Sequence, residues 1–155
     1  MKDYISFDEG HRVESFAGFQ NETQFEPEAL RLGQRAAAEV QRYRTLFPNV
    51  ESVCKYYLQR PLKSPRDWQN FHSGVACALA GNLTDAVRFF DLHLIPDPDQ
   101  PEWFVDRQAD AKNLKELAPN LAQFRSTIAN RVRRARELQK LPPWAVLDFD
   151  GPSHP

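Results

Sequence analysis

Along most of the chain apolar residues recur every three or four positions, the spacing that gathers them on one side of a helix. Between Pro27 and Pro48 they are Leu30, Gly33, Ala37, Val40 and Phe47, with Ala36 and Tyr43 beside them. This predicts a first helix that opens at Pro27 and is closed by Pro48. Val50, Val53, Cys54, Tyr57 and Leu58 make the stripe of a second helix, capped by Asn49, with Glu51 in its first turn and Pro61 at its end. Ser64-Pro65-Arg66-Asp67 reads as a start signal, with a cap, a proline in the first helical position and an acid three residues after the cap. A third helix therefore runs from about Pro65 to Ala80. Gly81 stops it, Asn82-Leu83-Thr84-Asp85 opens a fourth through about Leu94, and the proline-rich run from Ile95 to Pro101 breaks the chain. A fifth helix spans Glu102 to Leu117. The sixth, expected to be the longest, starts at Pro119 and carries Leu121, Phe124, Ile128, Val132, Ala135 and Leu138 as one continuous apolar face up to Leu141, before Pro142-Pro143.

The two ends read differently. Tyr4, Ile5, Phe7, Val13, Phe16 and Phe19 alternate weakly around Asp8-Glu9-Gly10, which suggests a short β-hairpin within the N-terminal piece, residues 1–25. The tail, residues 142–155, has apolar residues and then turn formers, and is expected to lie back across the bundle. The proline-rich run is too short to separate domains, and 155 residues can bury one sizeable core. The expectation is a mainly α fold, a bundle of about six helices in a single domain.

Composition narrows the classes. With 41% hydrophobic and 26% charged residues the chain has the make-up of a folded globular protein. Its net charge of −1 supplies no overall field toward nucleic acid or anionic lipid, so partner choice falls to local patches and points to protein. No run of apolar residues is long enough for a membrane span, and acidic residues stand where a signal peptide needs its apolar stretch. A cytoplasmic location is expected. The two cysteines, Cys54 and Cys77, lie in apolar helical patterns and read as small buried hydrophobes, not as a disulfide framework or metal site.

Gly74 and Ala76, then Gly81-Asn82, Asp85-Ala86-Val87, Phe90, Leu94 and Asp97-Pro98 form a spaced pattern over residues 67–98. Gly74 and Ala86 are small where two helices approach closely, Gly81 allows a turn that is costly for other residues, and Phe90 fills the groove between the helices. The segment resembles a single tetratricopeptide repeat, a hairpin of two helices. No second copy is found in 26–60 or 101–140, so the resemblance implies a hairpin that presents a surface, without the stacked groove of a repeat array.

No phosphate-binding glycine loop, nucleophile elbow or metalloprotease helix occurs, and no cofactor or metal set is expected. His11, His72, His93 and His154 are scattered. His72 and His93, on consecutive helices, could meet across the hairpin, whereas Cys77 and His72 fall on different faces of one helix. Asp148 and Asp150 in the tail read as a solvated turn. Two charge patches stand out. Arg125, Arg131, Arg133, Arg134, Arg136 and Lys140 face Glu137 alone on the last helix, which would suit an acidic protein partner or simply complement the helix dipole. Asp97, Asp99, Glu102 and Asp106 surround Trp103, an acidic rim about an aromatic anchor that would suit a basic partner.

The closing run Arg134-Ala-Arg-Glu-Leu-Gln-Lys-Leu-Pro resembles the arginine-rich final helix of some small bacterial immunity proteins, and the Gly81 to Leu94 hairpin fits the same company. That resemblance implies a non-enzymatic domain that neutralises a secreted toxin by direct binding. Two other readings stand beside it: a helical-repeat adaptor or chaperone for an effector or peptide, and a small hydrolase using His72, His93 or Asp67.

Overall fold

Asparagine side chains begin most of the helices. In the computed structural model, which describes residues 21–61, 68–96, 102–141 and 149, six α-helices and no strand occur among the described residues: α1 (Glu22–Leu46), α2 (Val50–Gln59), α3 (Trp68–Leu79), α4 (Leu83–His93), α5 (Glu102–Leu117) and α6 (Leu121–Leu138). The mainly helical fold is as the periodicity predicts. The N-terminal hairpin and the Ser64-Pro65 start lie outside the described residues. The Asn49 side chain accepts a hydrogen bond from the Ser52 amide, and the Asn49 amide donates the reciprocal one to the Ser52 hydroxyl, a full capping box for α2. Asn82 accepts from the Asp85 amide to start α4, and Asn120 from Gln123 to start α6. Each satisfies one of the orphan donors of a first turn.

The chain divides into two compact units, Met1–Leu46 and Phe47–Pro155. In the first, α1 starts before the expected Pro27, because Asn21 accepts from the Gln24 amide and nucleates a turn upstream; Pro27 then lies inside the helix. A proline there removes one backbone bond, which the added first turn offsets. With 25 residues α1, not α6, is the longest helix. Its sequence stripe, from Leu30 to Tyr43, contains no buried residue: Leu30 is 64% and Val40 50% exposed. Local features among the described residues add to the helix's stability: Glu28 pairs with Arg31, Glu39 pairs with Arg42, and three alanines run together.

In the second unit α3 is the central element, packed by α2, α4, α5 and α6. Eight of its twelve residues are buried, which is why its pattern has so few charges. The core joins Cys54 from α2, Cys77, Ala78 and Leu79 from α3, Ala86, Phe89 and Phe90 from α4, Ala111 and Leu114 from α5, and Phe124 from α6. Helices α3 and α4 approach closely at Gly74, where a Cβ would stand 2.9 Å from the Phe90 ring. Their connection is a left-handed glycine stop: Gly81 has φ +78°, its amide bonds the Ala78 carbonyl, and the Asn82 amide reaches back to Cys77. The same pattern ends α6, with Lys140 at φ 55° and Leu141 bonding Arg136. α6 begins after Asn120, and Pro119 lies in the turn before it, since a helix capped at Asn120 leaves the proline two positions outside. From the tail, Phe149 packs against the core and its carbonyl accepts from the Val50 amide at the start of α2.

Candidate functional site

Two arginines of α6, Arg125 and Arg131, are bonded to neighbouring helices. Arg125 donates through Nε and an Nη to the carbonyl of Leu79, at 3.1 and 3.0 Å. Leu79 ends α3, so this carbonyl has no partner in its own helix, and a cation there also answers the helix dipole. The Arg125 guanidinium also lies 6.0 Å from the Phe149 ring centre. Arg131 forms a forked pair with Asp110 of α5, at 2.8 and 2.6 Å, and so ties the two helices together. Arg136 is half-buried, Arg133 bonds Asn130 one turn back at 2.6 Å, and Arg133 and Arg134 are both exposed. At 3.6 residues per turn Arg125 and Arg136 share one side of α6, whereas Arg134 leaves on the opposite one. The basic run is thus spread around the helix instead of forming one face.

The apolar face of α6 also changes along its length. Phe124 is fully buried and Ile128 packs against the core, but Ala135 is exposed and Leu138 is 77% exposed. Leu141, just past the end, is 45% exposed. Periodicity reports which side of a helix is apolar; it does not report how far the neighbouring helices extend beneath it. The end of α6 therefore presents Leu138, one turn after Arg134, and Leu141 follows just past it.

Of the acidic patch, Asp97 and Asp99 lie outside the described residues. Glu102 and Trp103 stand in the first turn of α5, and Asp106 is exposed one turn on. A neighbouring aromatic group escaped the sequence reading: Trp68 of α3, 37% exposed, has the Arg107 guanidinium 5.0 Å above its ring and stacks with His72 at 5.8 Å. Arg107 follows Trp103 and Asp106 in α5, a juxtaposition that no local spacing announces.

No family model, curated protein or solved structure matches the chain. The site rests on its own geometry.

His72 and His93 each pack against Phe71, with ring centres at 6.0 and 5.5 Å. His72 is exposed, whereas His93 is 1% exposed and wedged against Phe104 as well, at 5.2 Å. Among the described residues no three histidine, cysteine or acidic side chains gather as a metal-binding group, and no helix is long and apolar enough to cross a membrane. Asp67, Asp148 and Asp150 lie outside the described residues. Cys77 faces Cys54, not His72: the two sulfurs are 2.8 Å apart in the core. Burial, reinforced by the bond to Cys54, pushes the Cys77 thiol above its ordinary range and keeps it neutral. One further surface feature is an open groove along α4, lined by Thr84, Val87, Arg88, Asp91, Leu92 and Ile95.

Proposed function

We propose that the chain is a non-enzymatic protein-binding domain and, more narrowly, an immunity protein that neutralises a cognate secreted toxin by covering it. The observation that carries the binding reading is the outer half of α6, where the largely exposed Leu138 lies one turn after the exposed Arg134 and one turn before the exposed Leu141. An apolar centre edged by arginine is the composition of an interface core, and it suits a partner with an acidic rim around an apolar pocket. The narrower reading also draws on the resemblance of the 134–142 run to the last helix of small immunity proteins.

The test uses the whole chain as bait in its native host. The captured protein, expressed alone, should arrest growth, and co-expression of this chain should restore it. Arg133→Glu with Arg134→Glu, or Leu138→Ser, should weaken the complex at least about tenfold with helical content unchanged, the scale of a moderate interface residue. A captured protein that leaves growth untouched removes the immunity reading. Unchanged affinity in both variants removes α6 as the binding surface.

A second reading, an adaptor for an extended peptide, draws on the α4 groove. It predicts that Val87→Glu or Leu92→Glu, and not the α6 variants, abolishes binding of the partner segment.

A further inference from the structure

We propose that Cys54 and Cys77 form a reversible internal disulfide site that staples α2 to α3, with a low-molecular-weight disulfide as the oxidant. Three observations converge. The sulfurs are 2.8 Å apart, far nearer to the roughly 2.0 Å of a covalent S–S bond than neighbouring side chains of the core need be. They come from different helices, 23 residues apart in sequence, so a bond between them closes a loop across the core instead of a local turn. Both are buried, Cys54 at 3% and Cys77 at 0% exposure, with no solvent-facing cysteine among the described residues to compete for the oxidant.

Burial also sets the order of events. A thiolate, not a thiol, attacks a disulfide, and Cys77 is held neutral by its surroundings. Access decides which sulfur meets the oxidant first: Cys54 is carried on the ten-residue α2, the shortest of the described helices, which rests chiefly on α3. When α2 lifts, the Cys54 thiolate attacks one sulfur of the oxidant, written RSSR, and expels RS⁻, leaving a mixed disulfide. As α2 closes, Cys77 gives up its proton and its sulfur displaces the second RS⁻ from Cys54. Two electrons and two protons pass from the protein to the oxidant, giving Cys54–S–S–Cys77 and two RSH. A small-molecule thiol in excess runs the steps backwards. The site is independent of what the α6 surface binds.

The experiment takes the full chain, reduced with a phosphine and desalted, into buffers of increasing oxidised-to-reduced glutathione ratio, followed by alkylation in denaturant and intact-mass measurement. The expected product is monomeric, lacks both alkyl groups, is lighter than the reduced chain by two hydrogens, reverts with dithiothreitol and melts at a higher temperature than the reduced form. Cys54→Ser should instead leave Cys77 as a thiol or a glutathione adduct. Two alkylatable thiols persisting at the most oxidising ratio, or glutathione adducts on the native chain without the internal bond, would overturn the proposal. The native chain alone decides this, whether or not the serine variant folds.

Discussion

Gly74 is a position where two residue-scale effects oppose each other. In an exposed helix alanine is favoured over glycine by about 1 kcal/mol, because glycine loses more backbone freedom. Here the added methyl would stand 2.9 Å from two carbons of the Phe90 ring, and that ring is fully buried with nowhere to withdraw. Overpacking of this kind costs about 1–3 kcal/mol, so the steric term should win. Gly74→Ala is expected to lower the urea midpoint at constant slope, and Phe90→Leu in the same background to cost less than it does alone. A more stable Gly74→Ala variant would mean that the ring gives way and that helix propensity governs the site.

Among the elements, the polar ties between helices differ in kind from the charges displayed outside. Arg125 fastens α6 to the end of α3 through a backbone carbonyl in a part-buried setting, whereas the Lys115–Asp91 pair between α5 and α4 is exposed. Bonds from a charged donor contribute about 1.5–3 kcal/mol where the acceptor would otherwise be stranded, whereas exposed charges change stability by about 0.5 kcal/mol or less. Arg125→Met, which keeps the apolar stem, is therefore expected to destabilise by about 1.5–3 kcal/mol, and Arg134→Met hardly at all; equal losses in denaturant titrations would contradict this division of the α6 arginines. The sequence made one part of this arrangement legible and hid the other. Caps such as Asn49 and Asn82 are local, contacting an amide three residues on, so the starts of α2 and α4 could be read directly. The start of α1 was misplaced because Pro27 is a louder signal than Asn21. The acceptor for Arg125 lies 46 residues away on the backbone, and the partner of Cys77 is on another helix. Neither leaves a trace in the spacing of side chains, and the same is true of where the cover over α6 ends.

At the scale of the whole molecule, burial among the described residues is concentrated around α3, and the end of α6, the α4 groove and the Trp68–Arg107 stack are exposed. The extreme of this distribution is α1, the longest helix and one with no buried side chain. A helix that buries no side chain gains little from packing, which supplies most of the stability of helices in proteins. Its opening should cost far less than that of α3, whose amides exchange only when the core itself comes apart. In heavy water, peptides from residues 22–46 are expected to gain deuterium well before those from 68–79, and matching rates would mean that α1 is held as firmly as the core. On the expected outcome the chain keeps two clocks in heavy water, a fast one in α1 and a slow one in α3. A molecule that settled on α1 would be detected as a slowing of the first while the second kept time.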